Sequence, residues 1–224
     1  MSERLRVVGV SGPVGAGKSL VLSHLVVDTA FASAIGGPVH LLDADATLRE
    51  ARRQPGRLRE AIVALHPAAR RSDGSLDTQL LADAAFADPK LLARLEELQW
   101  PVVAHAFASA RSAARLAGAA LLLVEAIALL RSGLAAECDL LLLLDAPRAL
   151  RSARFEARGG SRVDFDRRDL VQAGLASELL AAGAVVVDAS GSPELVAAAT
   201  AEAIRRVCFT RDVHPHPRPE QPGR

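Results

Sequence analysis

Aromatic residues are scarce in this chain. They make up 3% of its 224 residues, with one tryptophan and no tyrosine, so Leu, Val and Ala must fill the core. An excess of charge of either sign is also missing. The 27 Lys and Arg against 26 Asp and Glu leave a formal net charge of +1. That balance provides no basic stripe for nucleic acid and no polybasic patch for a membrane surface. Cysteine is limited to Cys138 and Cys208, far apart and without metal-ligand spacing, which points to two buried thiols in a reducing compartment. Long hydrophobic runs are absent too. "LRVVGV" near the N-terminus is too short for a secretory signal or a span, and "AALLLVEAIALL" is interrupted by Glu125. There is no internal repeat. These features describe a soluble, cytoplasmic protein, long enough for one α/β domain with its own core.

Short apolar, β-branched runs alternate with longer helical patterns. "LRVVGV", "PVHLLDAD", "AALLLVE", "CDLLLLLDAP" and "GAVVVDAS" read as strands of the buried parallel type, apolar on both faces. Helices between them imply right-handed crossovers and a parallel sheet sandwiched by helices. A long helical stretch, about 47–116, follows the second strand and forms a subdomain, with helix starts expected near Asp77 and Asp88-Pro89. The domain is expected to span 1–208. The tail 209–224, with "HPHPRPEQPGR", is Pro-rich and polar and reads as disordered, so His214 and His216 are solvated rather than metal-binding.

"SGPVGAGKSL" carries the chemistry. Gly12 to Ser19 reads G-x-x-x-x-G-K-S directly after a strand and before a helix from about Lys18 to Val27. The glycines let the backbone curl so that successive N–H groups face phosphate oxygens. Lys18 reaches the β- and γ-phosphates, the Ser19 hydroxyl suits Mg²⁺, and the helix adds its positive end. Gly12, Pro13, Val14, Gly15, Ala16, Gly17, Lys18, Ser19 and Leu20 therefore form the expected nucleotide cradle. No N-K-x-D base-reading motif accompanies it, and the chain is short for a motor ATPase, which favours a small-molecule kinase.

Asp43 and Asp45 end the second strand two residues apart, a spacing that in extended chain puts both side chains on one face. One would accept the acceptor hydroxyl's proton, the other would support Mg²⁺ through water, and the competing role for either is a helix cap. Glu125 and Asp145 each close a run of four apolar residues, and the sequence leaves open which of them neighbours the phosphate loop. The Arg-rich segment 148–169 places Arg151, Arg154 and Arg158 on one helix face ahead of a flexible Gly159-Gly160 break. Such a segment, about 151–168, can close as a lid and neutralise charge on the transferred group.

These pieces together resemble the dephospho-CoA kinase family, over about Arg6 to Ile204. The resemblance rests on "VVGVSGPVGAGKS", "DAD" at 43–45, "DGSLDTQLLADAAFADPKLLARLE" at 73–96, "SGL" after the third strand, "DAPRALRSARFEARGG" and Gln172. It implies a P-loop kinase fold of five parallel strands with a helical acceptor subdomain and a lid. It implies ATP with Mg²⁺ as donor and the ribose 3′-hydroxyl of dephospho-CoA as acceptor, in a monomer or weak homo-oligomer. Asp45 then stands as general base, Lys18, Arg154 and Arg158 as catalytic cations, and Ser19, Asp43 and Glu125 around the metal, with Asp145 by the adenine. The chain departs from the family where His-Pro is usual after the long helix and Trp100-Pro101 stands, and where "EAIALLR" (125–131) replaces D-x-P-L-L-F-E. Leu20 replaces a usual Thr, and "VVDAS" ends the fifth strand where Asn is common. The donor side is thus kept and the acceptor side altered, so a weakened acceptor KM is expected. Two other readings stand beside this one: a P-loop kinase for another small hydroxyl acceptor, such as a nucleoside, and a non-catalytic ATP-binding paralogue.

Overall fold

The apolar runs at the centre of the sheet are buried on both faces, while the last edge strand is partly exposed. A computed structural model describes residues 4–209. Strands β1 (Arg6–Ser11), β2 (Val39–Asp43), β3 (Leu121–Glu125), β4 (Leu140–Asp145) and β5 (Val185–Asp188) form one sheet, ordered β2-β3-β1-β4-β5, with every pairing parallel. The helices are α1 (Lys18–Val27), α2 (Thr29–Ile35), α3 (Ala44–Arg53), α4 (Arg57–Leu65), α5 (Thr78–Ala87), α6 (Pro89–Leu116), α7 (Arg148–Ala157), α8 (Arg162–Val171), α9 (Leu175–Ala181) and α10 (Pro193–Ile204).

The period-2 alternation of the strands divides the core in two. Val8, Val10, Leu121, Leu123, Leu142 and Leu144 pack with Leu22, Leu25, Val196 and Ile204, from α1 and α10, on one face. Val7, Leu122 and Val124 pack with Val103 and Phe107 of α6 on the other. A third, purely helical cluster, including Ile62, Leu81 and Leu95, gives α4, α5 and α6 a core of their own.

Acidic caps set the helix starts. Asp77 accepts from Gln79 N and Leu80 N to open α5, and Asp88 accepts from Lys90 N to open α6 ahead of Pro89. Trp100-Pro101 lies inside α6 rather than after it, against the expectation, and Trp100 packs on the second core cluster. Cys138 and Cys208 are free thiols, and burial pushes them up to about 12 and about 11. Residues 205–209 close a π-helical turn in which Phe209 packs on the first core cluster, so the expected disordered tail does not begin there. His214 and His216 lie outside the described residues. Among the described residues no single helix is long and apolar enough to cross a membrane.

Candidate active site

The phosphate loop leaves β1 at the centre of the sheet, where the flanking strands β3 and β4 diverge, the position at which open α/β sheets bind ligands. Gly15 (φ 81°) and Gly17 (φ 92°) adopt the left-handed conformation, and a Cβ on Gly15 would stand 2.3 Å from the Arg151 carbonyl oxygen. Lys18 is 8% exposed and donates from Nζ to the Gly12 carbonyl at 2.8 Å. Burial holds its pKa below the ordinary lysine value, against the raising pull of Glu125, Asp45 and Asp43.

Both β3 and β4 pair with β1, so the contact with Ser19, rather than strand order, separates the two acids. β3 pairs directly with β1, with Glu125 opposite Val10, and Ser19 Oγ donates to Glu125 Oε1 at 2.7 Å. Glu125 is 4% exposed, and its Oε2 is buried without a hydrogen-bond partner. Burial pushes its carboxyl above the ordinary range, while Ser19 and Lys18 act in the opposite direction. Asp145 ends β4 on the other side of β1. It accepts from Ala146 N at 2.8 Å and lines a neighbouring cleft with Pro13, Arg148 and Arg151.

The reading of Asp43 and Asp45 as two carboxylates on one strand face is corrected. β2 stops at Asp43, whose Oδ1 accepts from Ala46 N at 2.7 Å as the N-cap of α3. Asp45 sits in the first turn of that helix, and its Oδ2 accepts from Ile127 N at 3.0 Å, across to the chain leaving β3. Asp43 still stands beside Glu125 in the strand register. Burial raises the Asp45 pKa, opposed by the Ile127 N–H and by Lys18.

One cleft of about 470 Å³ gathers these groups. Val14, Gly15, Lys18 and Ser19 line one side and Asp43, Asp45 and Arg49 another, with Glu125 at the base and Arg158, Gly159, Gly160 and Arg168 from the arginine segment. The exposed Arg49 makes no hydrogen bond or ion pair with any described residue, and the sequence reading missed it. Its signal was the i, i+4 spacing from Asp45, which puts both on one helix face.

The three arginines of α7 and its cap make different contacts. Arg151 is 8% exposed, held by Asp169 Oδ1 at 2.6 Å and by the carbonyls of Ala146 and Val14. Arg154 donates to the carbonyls of Ala189, Ser190 and Gly191, with Nη1 4.0 Å from where a Cβ on Gly17 would stand. Arg158 caps α7, bonded only through Nε to the Arg154 carbonyl, and faces the cleft. Gly159-Gly160 is a tight turn rather than a loose break. Gly159 has φ 87°, and a Cβ on Gly160 would fall 2.1 Å from the Phe155 ring, which itself packs against Phe165 of α8.

The altered acceptor positions also have structural partners. Arg131 forms an ion pair with Glu96 of α6, so its positive charge is answered within the chain. Leu20 is 51% exposed at the start of α1.

Among the described residues, no group of three or more His, Cys, Asp or Glu is arranged to hold an ion by itself. Mg²⁺ takes one or two carboxylates and completes its shell with water and substrate phosphates. The unpartnered Glu125 Oε2 beside Ser19 is the observation that fits the ion.

Comparison with known proteins agrees with this geometry. The family model for dephospho-CoA kinase matches residues 6–194. The chain is similar to a dephospho-CoA kinase of Deinococcus radiodurans, 32% identical over 92% of this chain and 94% of the relative, so the likeness covers most of both. A dephospho-CoA kinase of Chlorobium chlorochromatii is 33% identical over 84% of this chain and 86% of its own. The crystal structure of TT1252 from Thermus thermophilus superposes with a TM-score of 0.70 at 28% identity, covering 93% of this chain and all (100%) of that one. The dephospho-CoA kinase structure from Campylobacter jejuni, with a TM-score of 0.54 at 15% identity, shares the fold. The fold is that of a P-loop kinase, and the chain belongs to the dephospho-CoA kinase family.

Proposed function

We propose that this protein is an ATP-dependent kinase that phosphorylates the ribose 3′-hydroxyl of dephospho-CoA, giving coenzyme A and ADP. The observation that carries the reading is a single cleft holding Lys18 and Ser19 of the phosphate loop opposite Asp45, a half-buried carboxylate with a raised pKa. Such a pairing suits transfer between a bound triphosphate and a hydroxyl.

Asp45 takes the proton of the attacking hydroxyl. The hydroxyl oxygen bonds to the γ-phosphorus as the bond to the ADP oxygen breaks. The loop from Gly12 to Leu20 cradles the phosphates, Lys18 neutralises charge at the β- and γ-oxygens, and Arg158 closes on the transferred group, with Arg154 fixing its helix. Ser19, with Glu125 and Asp43 beside it, would hold Mg²⁺, which supplies charge neutralisation on the phosphates. Arg49, one helical turn from Asp45 and without an ion pair among the described residues, is suited to the diphosphate of the acceptor. The helical region 47–116 serves as the acceptor subdomain and 151–168 as the lid, within one domain over 1–208. A cytoplasmic location and a monomer or weak homo-oligomer belong to the same reading.

ADP release measured across an acceptor panel tests it. Release with dephospho-CoA and none with nucleosides is the expected result. Faster release with a nucleoside would reassign the acceptor. ATP binding without release on any acceptor would make the protein a non-catalytic nucleotide binder.

A further inference from the structure

The phosphate loop is gripped by the hairpin of α7 and α8, whose closing residue Gln172 lines the same cleft as Lys18 and Ser19. Val14 N–H donates to Gln172 Oε1 at 2.7 Å, and the Val14 carbonyl accepts from Arg151 Nη1 at 3.1 Å. Both polar groups of one loop residue are thereby tied to the hairpin. Arg151 is itself fixed by Asp169 Oδ1 at 2.6 Å and the Ala146 carbonyl at 3.0 Å, and Asp169 also accepts from Arg148 Nε at 2.7 Å. Gln172 is equally constrained, because it caps α8 with its own N–H on the carbonyls of Arg168, Asp169 and Leu170. Immediately after Val14, Gly15 lies against the Arg151 carbonyl with no space for a Cβ.

A cradle of this kind carries a conformational problem. Its glycines have wide freedom, and its inward N–H dipoles repel one another until an anion arrives. A loop that had to be ordered on binding would lose affinity to that ordering. Fixing the two peptide groups that flank Val14 orders the loop beforehand and leaves the N–H groups from Gly15 to Ser19 available.

We propose that Gln172 is a positioning residue for ATP: with Arg151 it locks the Val14 peptide and so presets the phosphate loop from the α7–α8 hairpin. Gln172 acts through the acceptor oxygen of its amide, and its Nε2 is not required. This goes beyond the acceptor assignment, because it concerns ATP binding alone.

The test is ATP·Mg²⁺ binding to the full chain by calorimetry, without acceptor, in Gln172→Leu and Gln172→Glu, with melting temperatures recorded alongside. Leu removes the acceptor oxygen, and Glu keeps one. Losing one net hydrogen bond should weaken ATP binding in Gln172→Leu by about three- to tenfold. Its melting temperature and dephospho-CoA KM should stay unchanged. Gln172→Glu keeps the acceptor oxygen but sets a negative charge in the cleft that opposes the phosphates; salt screens that repulsion, so at high salt it should bind ATP more tightly than Gln172→Leu. Wild-type ATP affinity in the Leu variant would overturn the proposal. A Glu variant still weaker than Leu at high salt would also overturn it, since the side chain would then act on the nucleotide through Nε2. A fall in melting temperature parallel to the affinity loss would reduce Gln172 to a structural contact. None of these outcomes depends on which acceptor the enzyme uses.

Discussion

Ser19 Oγ and Glu125 Oε1 are joined by a hydrogen bond of 2.7 Å, and the other oxygen of that carboxylate, Oε2, is buried with no partner. A buried carboxylate oxygen without a donor carries a desolvation cost that Lys18 and the Ser19 bond offset only in part. A cation or its water would complete the arrangement.

Glu125→Gln removes the negative charge and keeps the shape. The half-saturating Mg²⁺ concentration should rise, or activity fall, by about 10–100-fold, in the range seen when metal-orienting residues are changed. A Mg²⁺ titration of the steady-state rate reads this. An unchanged titration curve would remove Glu125 from the metal's surroundings.

Asp45 couples stability and activity in opposite directions. Burial raises its native pKa above the ordinary 3.8. Between the two values the native state holds the extra proton, so stability falls as pH rises through the native pKa. Activity rises through the same pKa, because the base must be ionised. Asp45→Asn can still accept from Ile127 N. It should lower turnover by about 10²–10⁴ and raise the melting temperature at pH 8 by about 1–3 °C. The stabilisation should vanish at pH values below the native pKa. Near-normal turnover in the variant would mean that Asp45 is not the base.

Arg154 and Arg158 should separate in a paired experiment. Arg154 holds three carbonyls of the turn after β5, so Arg154→Ala should lower both the melting temperature and kcat. Arg158 has one backbone contact and faces the cleft. Arg158→Ala should leave the melting temperature unchanged and lower kcat more than it raises the ATP KM. A pure KM effect would make Arg158 a ground-state binder.

Most of the fold was legible in the sequence because the signals were local. Five apolar runs between helical patterns, a complete G-x-x-x-x-G-K-S and acidic caps at Asp77 and Asp88 each depend on neighbours a few residues away. What was not legible depended on distance along the chain. β3 and β4 both flank β1, and only the contact of Ser19, at the start of α1, with Glu125 tells their closing acids apart. Asp43-x-Asp45 has a strand's spacing, but the cap made by Asp43 turns the chain into α3 and carries Asp45 to Ile127. Arg151 looked like its neighbours at i+3 and i+7, yet Asp169 and Val14, from two other segments, bury it.

The altered acceptor positions give the same lesson. Trp100 packs on the second core cluster, and Arg131 is paired with Glu96. Arg131→Glu would set two like charges against each other, and Trp100→His would remove apolar contact from the core. The double variant should lose about 1–3 kcal/mol of stability with little change in the dephospho-CoA KM. Chemical denaturation and steady-state kinetics on the same preparation check both halves. An acceptor KM lowered severalfold would restore these positions to the acceptor site.

Mass analysis of dephospho-CoA after incubation with ATP, Mg²⁺ and the protein tests the central claim most directly, with Lys18→Ala as the comparison. Wild type should add one phosphoryl group to the acceptor for each ADP formed, and Lys18→Ala should add none. Unmodified dephospho-CoA in the presence of wild-type protein that demonstrably binds ATP would contradict the account.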